Sequence, residues 1–213
     1  MAEQFNLPGF DVPSPPVPPA PPRARSQPPV QRGAMLRHSL FFALVPPAED
    51  AQRIAQVAKT LRAEHGLAGK LLLPERLHVT LRGLGGYEKS PPDDVVAAAK
   101  AAAVAVMALA RPRFDVTFDR LLHFPASRAV VLRSGTPSVP LAALARALGL
   151  AVQQAGLRTK PGGTAHMTLM YDERGLPEHS IEPVGWTATE FVLIHSLVGK
   201  TEHLVLGRWP LQG

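Results

Sequence analysis

Short apolar runs alternate with longer amphipathic stretches from about residue 35 to the end of the chain. An apolar run of about four to eight residues is typical of a buried strand, whereas apolar residues three or four positions apart are typical of a helix. In the first half these patterns predict a strand at 38–45, a helix ending near 64, a strand at 77–81, a helix at 93–110 and a hairpin with arms at 114–123 and 128–133. The glycine-rich segment 83–86 is expected to form a turn after the second strand.

The second half repeats this order of elements. Its patterns predict a helix at 141–155, a strand at 165–171 and a hairpin with arms at 191–198 and 203–209. The likeness between the halves rests on LHVTL in the first and AHMTL in the second, so it indicates a structural duplication rather than a sequence repeat. We therefore expect an α+β fold with two lobes.

The first 34 residues differ from the rest of the chain. Ten of them are proline, and proline donates no backbone hydrogen bond to a folded element. We expect 1–34 to be a disordered or polyproline-II tail and 35–213 to be the folded, two-lobed domain. A proline-recognition motif, a plain linker and a start codon misassigned upstream of Met35 are the alternatives for the tail.

Composition narrows the classes of function. The formal net charge of +6 and the pI of about 10.2 suit a polyanionic partner such as RNA or a phosphorylated small molecule. The chain has no cysteine, which excludes disulfides and cysteine-ligated zinc and is compatible with a reducing cytoplasm. The first residues do not have a signal peptide pattern, and no apolar run reaches about 18 residues, so we expect a cytoplasmic protein with no membrane partner.

Two predicted strands carry the same polar pair of side chains. Strand side chains alternate between faces, so His78 and Thr80 project to one side and the residues between and after them face the core. The same holds for His166 and Thr168. Because the two segments occupy corresponding places in the two halves, we expect the pairs to face each other across a pseudo-twofold axis.

Such a set of side chains suits in-line displacement at a phosphodiester bond. One proton must leave the attacking oxygen while another reaches the departing oxygen, and an imidazole with a pKa of about 6.5 serves either step near neutral pH. The hydroxyls of Thr80 and Thr168 would hydrogen-bond the non-bridging phosphate oxygens and stabilise the developing charge. This chemistry requires no metal ion.

The tetrads His78-Val79-Thr80-Leu81 and His166-Met167-Thr168-Leu169 resemble the two signatures of the two-histidine phosphoesterase superfamily. Within it the chain is most similar to the bacterial and archaeal RNA 2',3'-cyclic phosphodiesterases, historically called 2'-5' RNA ligases, from about His38 to Leu211. The resemblance implies two antiparallel sheets around a central cleft with helices outside. It also implies hydrolysis of a 2',3'-cyclic phosphate to a 2'-phosphate without a cofactor.

The resemblance further implies roles for individual residues. His78 would be the proton donor and His166 the proton acceptor. RNA ends with a 2',3'-cyclic phosphate, or cyclic nucleotides, would be the substrates, and possible reversible 2'-5' RNA ligation would accompany hydrolysis. Separately from the resemblance, we expect the protein to be a monomer. The chain departs from the family pattern at Gly83, where many relatives have an aromatic residue, and at Tyr171, where some have an arginine.

Five further residues are candidates for substrate binding. Arg82 matches the family's basic residue beside the first tetrad, and strict alternation predicts that it points into the cleft, where its guanidinium would pair with phosphate. Tyr171 and Phe42 are candidates for stacking on a base. His195 and Ser196 are candidates for the wall of the same cleft.

Three other functions remain open from the residues alone. A metal site would use the histidines as ligands, although neither tetrad contains or adjoins an acidic residue. A binding module on the same fold would hold RNA or a nucleotide without turnover. A phosphodiesterase for another cyclic phosphate or for 2'-5' oligoadenylate would use the same machinery on a different substrate.

Overall fold

The protein is represented by a computed structural model that describes residues 37–159 and 163–212. The predicted tail at 1–34 and the expected start of the domain at Met35 lie outside the described residues. The strands are β1 His38–Leu44, β2 Val79–Tyr87, β3 Phe114–Phe124, β4 Ala129–Arg133, β5 Met167–Tyr171, β6 His179–Ala188, β7 Glu190–Leu197 and β8 Glu202–Pro210. The helices are α1 Ala48–Glu64, α2 Asp93–Met107 and α3 Val139–Gln154, and a short 3-10 turn spans Pro74–Arg76.

The strands pair in the order β6-β3-β4-β5-β2-β1-β7-β8, with every neighbouring pair antiparallel. Among the described residues, only the pair Val79 and Met167 bridges β2 and β5. The sheet therefore divides into two four-stranded halves, β6-β3-β4-β5 and β2-β1-β7-β8, joined at one point. The α+β class is confirmed, and the two predicted sheets correspond to these halves.

One main core lies between the sheet and the helices. Helix α1 contributes Ile54 and Ala58, and α3 contributes Leu144 and Leu148, at the spacing that places them on one face. Strand β1 is buried on both faces. On one face Leu40, Phe42 and Leu44 belong to the main core. The residues on its other face form a smaller cluster, which contains Phe41, Ala43, Val192 and Ile194.

The predicted turn at 83–86 is wrong, because these residues continue strand β2. Strand β1 pairs with them, with Phe41 opposite Gly83 and Leu40 opposite Gly85, so one extra residue bulges out between the pairs. Gly85 has a φ of +134°, a conformation that side chains disfavour and glycine adopts freely. Glycines that signal a turn in sequence here allow a bulge within a strand.

Strand β6 is not among the elements that the sequence predicts. It contains Pro183 and Gly185, which weaken a strand pattern in sequence. Within the described part of the chain the strand lies at the edge of the sheet and pairs only with β3. Proline is tolerated at an edge because one side of the strand needs no ladder bonds. An edge position therefore explains why sequence patterning misses it.

Gly185 is expected to be required for the close approach of β6 to β3. A Cβ at this position would collide with the main-chain carbonyl oxygen of Val116. We expect Gly185→Ala to lower the free energy of unfolding by about 1–3 kcal/mol in urea titrations. Gly83→Ala is the matched control, since a Cβ there meets nothing within 4 Å, and equal stability of the two variants would contradict the prediction.

Candidate active site

The pairing of Val79 with Met167 brings the two tetrads together. In an antiparallel pair the residues on either side of a bridge also lie opposite each other, so this register sets His78 opposite Thr168 and Thr80 opposite His166. Val79 and Met167 are fully buried, whereas the four polar side chains are half-buried or exposed. The two histidines therefore lie diagonally on one face, each across from the other tetrad's threonine.

Both histidine rings are held in the same way. His78 and His166 each lie immediately before the first residue of a strand. His78 Nδ1 is 2.7 Å from the carbonyl oxygen of Arg76, and His166 Nδ1 is 2.8 Å from that of Thr164. Because a carbonyl oxygen only accepts, Nδ1 carries a proton in both rings. In the neutral imidazole Nε2 is then the nitrogen that can accept a proton.

Aromatic rings surround His78. Phe41 stacks on it with ring centroids 5.0 Å apart and an interplanar angle of 29°, and His203 approaches edge-on at 5.2 Å. His166 has Phe124 as an edge-on neighbour at 5.0 Å. The two catalytic candidates therefore share a geometry but differ in their surroundings.

Burial is the main cause that lowers the pKa of His78 below its ordinary value. The positive charges of Arg76 and His166 lower the pKa further, and the hydrogen bond to the Arg76 carbonyl opposes these effects. In the free protein His78 is therefore predominantly neutral at pH 7. A bound anion would reverse part of this lowering, because a negative charge favours imidazolium.

His203 lies in the site, although its place in the sequence is typical of a surface or loop residue. It is the second residue of β8, and its Nε2 accepts from Arg76 Nη2 at 3.3 Å. Burial lowers the pKa of His203 to about 4, with contributions from His78 and Arg76. Neither the residue pattern nor the tetrads single out this histidine, because its contact with His78 joins β8 to the start of β2, two strands that are not neighbours in the sheet.

Two cavities lie near the tetrads, one of which reaches Thr80, while the other is lined by Arg76 and His203, which contact His78. One of about 440 Å³ is lined by Thr80, Thr164 and residues of α3. The other, of about 560 Å³, is lined by Arg76, His203 and Arg208. Both volumes lie within the range of roughly 300–1,000 Å³ that is usual for pockets that bind small molecules.

Arg82 does not point where strict alternation predicts. Ala43 lies opposite Thr80 and Phe42 lies opposite Arg82, so a bulge separates Thr80 from Arg82 and turns them to opposite faces. The Arg82 guanidinium donates to the carbonyl oxygen of Ala145 in α3 at 2.9 Å. The expectation that Arg82 faces the cleft is therefore corrected, because the bulge directs it to the helix layer.

Phe42 also lies on the helix side and cannot stack on a base. It is 0% exposed and packs edge-on against Phe191 and Trp209, with centroids 6.2 and 6.0 Å away. The aromatic residue of β1 that reaches the site is its neighbour Phe41. In a strand buried on both faces, apolar composition alone does not indicate which face meets the cleft.

The other three candidates take different positions. His195 lies opposite Leu40 on the core side, and its Nε2 is 2.8 Å from His38 Nδ1, so it does not line the cleft. Ser196 is 6% exposed and lies opposite His203 in the register. Tyr171 is 57% exposed, and the bulge between β4 and β5 returns it to the face of Thr168.

Asp172 is a buried carboxylate that the sequence pattern does not single out. Its Oδ2 accepts from the backbone N–H groups of Ala68 and Gly69, and its Oδ1 accepts from that of Arg174. These bonds, led by that of Arg174, lower the pKa of Asp172. The carboxylate ties the loop after α1 to the end of β5, next to the second tetrad.

Two further features concern other classes of site. Within 37–159 and 163–212, no three His, Asp or Glu residues are grouped so that they would hold a metal ion. None of the helices in this part of the chain has the length and apolar character needed to cross a membrane.

Comparison with known proteins agrees with the geometry. The sequence model of the 2'-5' RNA ligase superfamily matches residues 44–199, which is more than half of the chain. E. coli LigT complexed with ATP is 26% identical, with a TM-score of 0.63, over 83% of this chain and 99% of that one. No curated protein matches the chain.

More distant structures share the fold. TT0787 of Thermus thermophilus is 21% identical, with a TM-score of 0.62, over 82% of this chain and 98% of that one. The PDE domain of MHV ns2 is 20% identical, with a TM-score of 0.50, over 79% of this chain and 99% of that one.

The fold and the paired histidines define a two-histidine phosphoesterase, as the sequence resemblance indicated. The chain belongs to the 2'-5' RNA ligase superfamily. Membership supports an enzyme with phosphodiesterase-type or ligase-type activity.

Removal of the His166 charge is expected to raise the pKa of His78. His166 lowers that pKa by charge repulsion, while burial continues to act in the variant. In NMR titrations of the imidazole signals, His166→Ala should shift the His78 midpoint upward toward 6.5 without reaching it. His65→Ala serves as the control, and an unchanged or lower midpoint in His166→Ala would show that the two rings do not interact.

His203 is expected to make folding stability depend on pH. Its folded-state pKa of about 4 lies below the ordinary value of 6.5, so between these pH values the unfolded chain binds a proton that the folded chain refuses. Stability therefore falls as pH drops from 6.5 to 4. His203→Gln should reduce this loss by about 1–3 kcal/mol in urea titrations at several pH values.

His65→Gln is the control for this titration series, and it should retain the wild-type dependence on pH. An identical loss of stability in His203→Gln and wild type would mean that His203 titrates normally in the folded protein.

Proposed function

We propose that this chain hydrolyses 2',3'-cyclic phosphodiesters on RNA ends or nucleotides to 2'-phosphates, without a metal ion. The observation that carries this proposal is the diagonal placement of His78 and His166, which follows from the pairing of Val79 with Met167, with each Nδ1 bonded to a carbonyl oxygen. Possible 2'-5' RNA ligation is the same displacement with the 5'-hydroxyl of a second RNA in place of water, which forms a 2'-5' diester and frees the 3'-hydroxyl.

The reaction follows from these two nitrogen atoms. His166 Nε2 takes a proton from a water molecule as its oxygen bonds to phosphorus. The bond from phosphorus to the 3' oxygen breaks, and His78 Nε2 gives its proton to that oxygen. The products are a 2'-phosphate and a 3'-hydroxyl, and the histidines end in exchanged protonation states that a proton exchange with solvent restores.

The threonines supply charge stabilisation. Thr168 lies across from His78 and Thr80 across from His166, so both hydroxyls lie on the face where the phosphate must sit. Each hydroxyl donates one hydrogen bond to a non-bridging oxygen. Because Arg82 bonds to α3, these hydroxyls and the imidazoles form the core of the proposed phosphate site.

The proposed donor role of His78 is compatible with its lowered pKa. The protein alone disfavours imidazolium because of burial and the nearby positive charges. A phosphodiester carries a negative charge, which raises the pKa of an adjacent imidazole. His78 would therefore gain its proton together with the substrate, and the free protein would hold it mostly neutral.

Two features support RNA as the substrate class. The formal net charge of +6 attracts a polyanion, and Tyr171, 57% exposed on the face of Thr168, offers a ring for stacking on a base. E. coli LigT has been crystallised with ATP and with 3'-AMP. A nucleotide-sized substrate would also fit the cavity of about 560 Å³ that Arg76 and His203 line beside His78.

The proposal predicts turnover that survives chelation and depends on both histidines. The protein is assayed with EDTA on the four 2',3'-cyclic nucleotides and on an RNA oligonucleotide that ends in a cyclic phosphate, with the products identified by chromatography. His78→Ala and His166→Ala should each lower kcat by about 100-fold to 10,000-fold. Thr80→Ala and Thr168→Ala should lower it by about 10-fold to 100-fold, as expected for loss of one hydrogen bond to a developing charge.

His65→Ala is the control for this series, because His65 is at the end of helix α1 and its ring packs against the His179 ring. Loss of activity with EDTA that added metal restores would favour a metal-dependent site. Tight binding of a cyclic nucleotide without product would favour a binding module. Turnover of 2'-5' oligoadenylate or another cyclic phosphate, but not of these substrates, would change the substrate class.

A further inference from the structure

We propose that His203 and Arg76 form a positioning pair that holds His78 in its reactive orientation. The inference rests on the proposed function for its kinetic readout, but its structural content does not depend on the substrate. It concerns a histidine outside both tetrads, brought to the site by β8.

Arg76 contacts both imidazoles. Its main-chain carbonyl accepts from His78 Nδ1 at 2.7 Å, and its side-chain Nη2 donates to His203 Nε2 at 3.3 Å. The first bond sets the tautomer and the orientation of the His78 ring. The second bond connects the residue that carries this carbonyl to β8, on the far side of the half-sheet.

The three rings of Phe41, His78 and His203 form one cluster. Their centroids are 5.0 Å apart between Phe41 and His78, 5.2 Å between His78 and His203, and 5.9 Å between Phe41 and His203. His78 therefore has a stacked ring on one side and a ring edge on another, and this packing limits its rotation. Positioning groups of this kind act by limiting the motion of a reacting atom.

The guanidinium of Arg76 depends on His203. Its Nε is buried and has no hydrogen-bond partner among the described residues, so the bond from Nη2 to His203 is important for satisfying this group. Loss of the acceptor would leave a partly buried cation with an unsatisfied donor, which is costly. The 3-10 turn Pro74–Arg76 would then move toward solvent and carry the carbonyl that holds His78 with it.

His203 must be neutral to accept this bond. Its lowered pKa of about 4 keeps it neutral over the range in which the enzyme would work. The charged groups around it are Arg76 and His78 on the side of the tetrads, and Glu75, Glu202 and Arg208 around the adjacent cavity. His203 therefore has the properties of an acceptor rather than of a third acid or base.

The test compares two substitutions that separate the ring from the acceptor. His203→Phe keeps an aromatic ring and removes the acceptor, whereas His203→Gln keeps an acceptor oxygen near the position of Nε2 and removes the ring. We expect His203→Phe to lower kcat on a 2',3'-cyclic nucleotide about 10-fold with KM changed less than about 2-fold. His203→Gln should remain within about 3-fold of wild type.

A second readout uses the protein without substrate. The hydrogen bond to the Arg76 carbonyl raises the pKa of His78 by more than the Arg76 charge lowers it. Displacement of Arg76 in His203→Phe should therefore move the NMR titration midpoint of His78 lower, and His203→Gln should leave it near the wild-type value. With His78 as proton donor, the alkaline limb of the profile of kcat/KM against pH should shift to lower pH by the same amount. His203→Leu, which also removes the acceptor, replaces His203→Phe if that variant does not fold.

Three results would overturn the proposal. They are equal damage in the Phe and Gln variants, an unchanged His78 midpoint in His203→Phe, and a change confined to KM, which would assign His203 to the wall of the substrate cavity. Failure of the proposed function is distinguishable, because wild-type protein would then not turn over cyclic phosphates while the shift of the His78 midpoint would still be seen.

Discussion

The pairing of Val79 with Met167 is the constraint on which the site depends. It joins the two four-stranded halves of the sheet, and among the described residues it is the one bridge between β2 and β5. Because both residues are completely buried, a slip of one position would expose them and turn the histidines toward the core. The hydrophobic effect acting on two apolar side chains thereby sets the relation between two histidines that come from different halves of the chain.

Much of this arrangement can be predicted from the sequence. In each tetrad polar and apolar residues alternate, and the apolar residues indicate which face of the strand is buried. The positions of His78, Thr80, His166 and Thr168 on one face follow directly from this alternation. Prediction fails where the backbone departs from regular alternation. The bulge between Thr80 and Arg82 turns the arginine to the helices, and the composition of Gly83–Gly86 does not distinguish a bulge from a turn.

Contacts between strands that are not neighbours in the sheet also cannot be predicted from sequence patterns. His203 and His78 lie at opposite edges of one half-sheet, yet their rings meet, and no periodicity relates them. Strand β1 raises a related difficulty, because both of its faces are apolar. Only the structure shows that Phe41 belongs to the site and Phe42 to the core. The surroundings of a candidate catalytic residue are therefore less predictable than the residue itself.

The bond from each histidine to the carbonyl two residues earlier has a consequence for protein design. The carbonyl oxygen that accepts from Nδ1 belongs to the backbone just before the same strand. No carboxylate from elsewhere in the chain is therefore needed to select the tautomer. The smallest segment that holds the ring therefore runs from the residue that supplies the carbonyl oxygen to the tetrad, and it could be transferred to a scaffold in which the first residues of two antiparallel strands pair as Val79 and Met167 do. Transfer of this segment would not include the packing of Phe41 and His203 around His78, so a designer would have to provide equivalent packing in the new scaffold.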